Sequence, residues 1–291
     1  MKSPMPSKTT SALSRKAALK HAAASLSAAG IDSAWLDSEL LLAFVLRTDR
    51  ADILAHDEKL LTAAQARRFF ALIKDRSRHY PLAYLVGHKE FYGLDFKVTK
   101  DTLVPRPESE LLVEEALRHI DKKTKVIDIG TGSGCLIISA LKHSPAAGYA
   151  VDISSKALAV AKANAKRHGL AKRIIFKKSD LLSGLPINPD LKLVILANLP
   201  YLTPEQMDEP SIKREPKSAL IAGQDGLKYY RALAQQLRRL SNYVLLCEIN
   251  PGQKQGFKKI FPNAEFKKDL SGKVRLGIIS GVIPAKAGKV Y

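Results

Sequence analysis

Cysteine is nearly missing from this chain: Cys135 and Cys247 are the only two in 291 residues. They stand far apart, each in apolar surroundings, and read as two buried thiols of a reducing cytoplasm, which excludes a disulfide-stapled scaffold. Also missing is any apolar run near the roughly eighteen residues that a membrane helix needs; the longest clear one is Leu40 to Leu46. The seven histidines show no ligand spacing, so no metal is expected. Acid is absent from the first thirty residues, which carry Lys2, Lys8, Arg15, Lys16 and Lys20. That stretch superficially looks like an organellar transit peptide, but it runs on smoothly into a helical pattern. No internal repeat is visible.

What is present is an ordinary globular composition, 46% hydrophobic and 26% charged, long enough for two domains. The net charge is +19, unevenly spread: residues 121–180 carry +8 and 241–291 carry +6, whereas 81–120 carry −2. So positive a balance favours polyanionic or acidic partners, and equally suits a merely solvated surface.

The expected organisation is a helical bundle over 1–80, a β-hairpin linker over 81–105 and an α/β domain over 106–291. In the bundle an alanine-rich helix over 12–28 ends at Gly30. Asp32 or Ser33 then caps a helix with Leu36, Leu40, Leu41, Phe44 and Val45 on one face. Thr62 caps a third, with Ala66, Phe69, Phe70, Leu72 and Ile73 inward and Arg67, Arg68, Lys74 and Arg76 outward. Short β-prone runs, Tyr84 to Phe91 and Leu94 to Val98, flank Tyr92-Gly93. Beyond Pro105 a helix over 107–120 leads into strands at 125–130, 148–152, 173–178, 193–197 and 243–248. Helices at 133–142, 154–168 and 226–240 lie between them, which implies a parallel sheet covered on both faces. A helix near 251–260 and strands near 264–268 and 275–280 are too short for another crossover, so those strands pair as an antiparallel hairpin at one side. The Pro-, Gly- and Lys-containing tail from Val282 to Tyr291 reads as a mobile end.

Within that pattern, Val126 to Gly134 is a strand running into glycines that open a helix. A dinucleotide fingerprint needs G-x-G-x-x-G. Here the spacing is G-x-G-x-G, Gly130, Thr131, Gly132, Ser133, Gly134, with Asp128 two residues upstream. An acid there draws in a cationic amine, directly or through water, and repels a pyrophosphate. Asp152, at the end of the next strand, is placed to accept both ribose hydroxyls. Asp180 accepts from an adenine amino group, with Leu181 beneath the ring, or else only caps a turn. Together these describe a nucleoside with an amino-acid tail, S-adenosylmethionine.

After the strand Leu193 to Ala197 comes Asn198-Leu199-Pro200-Tyr201. An Asn side chain and a main-chain carbonyl together accept both N–H bonds of a planar NH₂ group, and Tyr201 offers a packing face. Such a nitrogen is a poor nucleophile; orienting its lone pair toward a methyl sulfonium makes position the source of catalysis, with no strong base required. Asn198 and Tyr201 are the expected catalytic residues.

These residues resemble the HemK/PrmC family, protein-glutamine N5-methyltransferases that modify the Gly-Gly-Gln loop of peptide chain release factors. The likeness spans about 11–280. It includes Ala28-Ala29-Gly30-Ile31 and Asp37 to Leu41, then Pro81, Tyr84, Gly87 and Glu90 to Gly93. Val104-Pro105-Arg106-Pro107-Glu108-Ser109-Glu110 follows, and further on Glu215-Pro216, Ala219-Leu220, Gly223, Asp225 to Leu227, Glu248, Gln253 and Asp269 with Arg275. The resemblance implies a seven-stranded Rossmann-like class I methyltransferase domain behind a helical recognition domain. It implies S-adenosylmethionine held by the glycine loop, Asp152 and Asn198, and a glutamine amide held by Asn198, the Leu199 carbonyl, Pro200 and Tyr201. Arg106 either steers the substrate loop or pairs with Glu108 or Glu110. A cytoplasmic monomer acting on release factors is expected, with basic surface outside 81–120 helping to capture an acidic factor. One departure stands out: Leu199 replaces the first proline of the family's Asn-Pro-Pro-Tyr, which frees φ and adds an N–H. Asn-Leu-Pro-Tyr also resembles the turn of ribosomal RNA adenine dimethyltransferases, so a nucleic-acid methyltransferase is the alternative, and a non-catalytic release-factor or ribosome binder the third reading.

Overall fold

A computed structural model describes residues 13–188 and 191–281; the basic positions before 13 and the tail from Val282 lie outside them. The chain divides between Gly87 and His88 into two compact units. The stretch read as a linker thus gives its first part to one unit and its hairpin to the other.

The first unit contains β1 (Leu13–Ser14), α1 (Arg15–Ala28), α2 (Ala34–Leu46), α3 (Arg50–Ala55), β2 (Leu60–Leu61), α4 (Ala63–Arg76) and α5 (Leu82–Val86). Helix α1 begins at Arg15, where the Ser14 side chain caps the Ala17 N–H. Ser33 sits at the start of α2 without a side-chain cap, whereas Thr62 and Gln65 close a full capping box on α4. The buried residues of α2 are Ala34, Asp37, Ser38, Glu39, Leu41, Leu42, Ala43 and Val45, and Leu36 is exposed. The expected face was displaced because α2 buries two acids. Asp37 accepts from Arg76 Nε at 2.6 Å, which draws Arg76 inward. Glu39 accepts from Trp35 Nε1 at 2.6 Å and from Arg50 Nε at 2.9 Å. Residues 82–86 are helical where a β-prone run was expected, closing on Gly87 at φ 81°.

The second unit opens with a hairpin of β3 (His88–Phe91) and β4 (Leu94–Lys97). After it come α6 (Glu110–His119), β5 (Lys125–Ile129), α7 (Cys135–Lys142), β6 (Ala147–Asp152), α8 (Ser155–Arg167), β7 (Ile174–Lys178) and β8 (Leu193–Ala197). The remainder is α9 (Lys228–Leu237), β9 (Tyr243–Glu248), α10 (Lys254–Ile260), β10 (Glu265–Lys268) and β11 (Val274–Gly281). Seven strands form one sheet in the order β10-β11-β9-β8-β5-β6-β7. The five from β9 to β7 are parallel; β11 runs antiparallel to β9 and β10 antiparallel to β11.

Side chains of the central strands alternate between two cores, as period-two geometry requires. Ile127, Ile129, Ile195 and Ala197 join the core that includes α9 and α10; Val126, Val194 and Leu196 join the core of α6 and α7. From β5 the chain steps outward through β6 to β7 and then returns to β8 on the other side. The carboxyl ends of β5 and β8 therefore flank the switch point, where open α/β sheets bind ligands.

Candidate active site

A cavity of about 250 Å³ opens at that point. Its walls come from residues 100–106, 129–133, 135–136, 152–154, 179–181, 198–200 and 218–219, with Ser109, Ala157, Pro216 and Tyr229. Of the residues expected at a site, it brings together the loop 130–133, Asp152, Asp180, Leu181, Asn198, Leu199, Pro200 and Arg106. Asp128, Gly134 and Tyr201 are absent from its wall.

The glycine loop takes left-handed backbone at Gly130, Gly132 and Gly134 (φ 70°, 53° and 82°). At Gly134 a Cβ would come within 2.9 Å of Ile138 Cδ1 and 3.2 Å of Ala161 Cβ; at Gly132 it would meet almost nothing, leaving the backbone open to a ligand. Asp152 ties the loop to the next turn: Oδ2 accepts from the Gly132 N–H at 3.0 Å and Oδ1 from the Ser154 N–H at 2.8 Å. Burial pushes its carboxyl up from the ordinary value. Each oxygen keeps a second lone-pair direction, enough for two hydroxyl donors. A carboxylate already on the loop also disfavours a pyrophosphate there.

Strand alternation explains Asp128. It shares the face of Val126, behind the loop, and is fully buried. Its Oδ2 accepts from Thr131 Oγ1 at 2.6 Å and from the Ile137 N–H at 3.4 Å, while Oδ1 has no partner among the described residues. Burial lifts the carboxyl to about 7. Asp128 thus holds the loop from outside the cavity wall. On the far side Leu181 adopts φ 51° and is buried against the wall, beside exposed Asp180. Ile153, half exposed, also lines the cavity. Its only sequence signal is an apolar residue just after a strand-end acid.

At the end of β8 the Asn198 Nδ2 donates to Ser109 Oγ at 2.9 Å. Ser109 Oγ donates to Glu248 Oε2, whose other oxygen accepts from the Tyr201 hydroxyl at 3.0 Å. Tyr201 therefore turns its hydroxyl to a buried acid. Burial raises the Glu248 carboxyl, opposed by Ser109, Tyr201 and Arg275. Leu199 is buried, with Cδ2 3.3 Å from where a Gly130 Cβ would stand. The side chain that departs from Asn-Pro-Pro-Tyr is thus packed against the glycine loop. The buried Tyr230 hydroxyl, behind the turn, donates to the Glu248 carbonyl.

Arg106 pairs with Glu215, not with Glu108 or Glu110. Glu215, fully buried, also accepts from the Val104 N–H at 3.0 Å, so it clamps residues 104–106 to the segment that begins at 215. Ser109, Glu215 and Glu248 carry the site's polar framework. They belong to the resemblance residues, but their roles depend on contacts across 89 to 139 positions that no local pattern reveals. Cys247 is buried and Cys135 half-buried, and both are free.

Strand order, glycine loop, acid on the second strand and polar turn on the fourth together define a class I methyltransferase domain. Residues 17–87 match the model of the PrmC N-terminal domain, and 111–200 that of ribosomal protein L11 methyltransferase (PrmA). A release factor glutamine methyltransferase of Cereibacter sphaeroides is 38% identical over 92% of this chain and 98% of its own. Those of Nitratidesulfovibrio vulgaris (34%, covering 91% and 94%) and Moorella thermoacetica (37%, 89% and 96%) are alike. The chain belongs to the release factor glutamine methyltransferase family. Among solved structures, the Mtq2–Trm112 complex of E. cuniculi is similar at 16% identity and a TM-score of 0.43, over 63% of this chain and 99% of that one.

Proposed function

We propose that the protein transfers the methyl group of S-adenosylmethionine to the side-chain amide nitrogen of the glutamine in the Gly-Gly-Gln loop of peptide chain release factors. The observation that carries the reading is the turn after β8, where the Asn198 NH₂ is engaged by Ser109 and the amide oxygen is left to accept. Together with the Leu199 carbonyl it meets the two N–H bonds of a primary amide, and Pro200 stiffens the turn.

The cavity suits S-adenosylmethionine: an open glycine loop, a carboxylate with lone pairs to spare at Asp152, and an apolar cleft between Ile153 and Leu181 beside Asp180. When bound, the cofactor supplies an electrophilic methyl group. The chain's own contribution is position. Gly130, Thr131, Gly132, Ser133 and Gly134 shape the floor, Asp128 fixes that floor through Thr131, and Asn198 with Leu199 fixes the direction of the amide lone pair. The two acceptors hold the amide protons, and one proton leaves to solvent once the nitrogen is alkylated. Arg106, on the cavity wall, guides the substrate loop, and the helical unit holds the body of the release factor. The substrate places the reaction in the cytoplasm at translation termination, with the enzyme acting as a monomer.

Transfer of labelled methyl to purified release factor tests the reading. Incorporation should vanish when the loop glutamine is replaced, and fall steeply with Asn198→Ala. Labelling of ribosomal RNA with none on the release factor would overturn it.

A further inference from the structure

We propose that Ser109 and Glu248 are positioning residues that set which end of the Asn198 amide faces the substrate; the proposal deepens the function above and rests on it. The two ends of an asparagine amide are alike in shape and opposite in polarity. Only the oxygen can accept from a glutamine NH₂, so an amide free to flip presents the wrong end part of the time. A serine hydroxyl has one proton. That of Ser109 goes to Glu248 Oε2, so its oxygen has only lone pairs to offer Asn198, and the 2.9 Å contact must be made by the NH₂ end. The amide oxygen is thereby turned away from Ser109 and left for the substrate.

The relay is anchored at its far end. The second oxygen of Glu248 accepts from Tyr201, and the Glu248 main-chain carbonyl accepts from Tyr230, so the carboxylate cannot rotate away. Ser109 and Glu248 are 2% and 1% exposed, so water does not compete for these bonds. Three separate elements converge here: the turn before α6, the end of β8 and the end of β9. None of the hydrogen bonds of this relay goes to the glycine loop, which predicts an effect on substrate turnover and not on cofactor binding.

The experiment compares wild type, Ser109→Ala, Ser109→Thr, Asn198→Ala and the Ser109→Ala/Asn198→Ala double variant. It reads kcat on purified release factor and Kd for S-adenosylhomocysteine. Ser109→Ala should lower kcat by about 10²-fold, the scale of a misplaced reacting group, with Kd unchanged, and Ser109→Thr should restore it. In the Asn198→Ala background Ser109→Ala should cost nothing further. Should Ser109→Ala fail to fold, Ser109→Cys, close in shape with a weakly bonding thiol, takes its place with the same expected ordering. A wild-type kcat in Ser109→Ala, a loss fully additive with Asn198→Ala, or a Kd that weakens in step with kcat overturns the proposal. The side-chain NH₂ resonances of Asn198, recorded without release factor, must also move in Ser109→Ala. If the wild type fails to methylate release factor the functional reading falls, while these resonances still decide the relay; identical signals in both proteins refute it.

Discussion

Replacing Glu215 by alanine removes the acceptor of the Val104 N–H, 3.0 Å away, and the partner of Arg106. Val104 is 6% exposed, and a buried N–H left unpaired costs about 1–3 kcal/mol. Arg106 is 35% exposed, so its guanidinium rehydrates and the lost ion pair adds no more than about 1 kcal/mol. The total, about 1–4 kcal/mol, divides between the unfolding free energy and the integrity of the cavity wall. Half of it at the wall weakens ligand binding about two- to thirtyfold, at about 1.4 kcal/mol per factor of ten. Glu215→Gln keeps an acceptor for the N–H and loses only the charge, so it should cost about 1 kcal/mol or less. Titration calorimetry with S-adenosylhomocysteine and urea unfolding should therefore rank wild type above Gln above Ala. Alanine matching wild type in both assays would refute the clamp. Gln as damaging as Ala would show that charge, not the hydrogen bond, holds the wall.

Two further outcomes follow from buried acids. Arg76→Met strands the Asp37 carboxylate, 3% exposed as a residue, and should destabilise the helical unit by about 3–5 kcal/mol; a melting profile like wild type would contradict it. Burial holds the Asp128 carboxyl at about 7 against an ordinary 3.8, so the folded chain binds this proton more tightly than the unfolded one. That contribution is whole below pH ~4, fades as pH rises to about 7 and is gone above, and is worth up to about 4 kcal/mol. Asp128→Asn should therefore flatten the dependence of urea stability on pH across that window, and parallel profiles for the two proteins would count against it.

Periodicity and glycine spacing located the strands of the sheet and the loop after β5 because both signals are local. Leu193 to Ala197 emerges where expected since a strand buried on both faces is written as an unbroken apolar run. For Asp128 the spacing from Gly130 says only that it is near the loop, whereas strand alternation says which side it takes. Arg76 and Leu36 were misplaced because helical periodicity ranks residues by polarity, and here α2 buries carboxylates that call cations inward. The short helix α3, the β1–β2 pair and the helical turn at 82–86 carry too few residues for a period to register. The framework of Ser109, Glu215 and Glu248 is tertiary throughout, so the residues were visible and their work was not.

The most direct measurement is a structure of the protein with S-adenosylhomocysteine and a Gly-Gly-Gln peptide. The glutamine side-chain nitrogen should lie within hydrogen-bond reach of both Asn198 Oδ1 and the Leu199 carbonyl, facing the sulfur of the spent donor. A glutamine side chain seated anywhere else, or an Asn198 amide presenting its NH₂ to the peptide, would contradict the account.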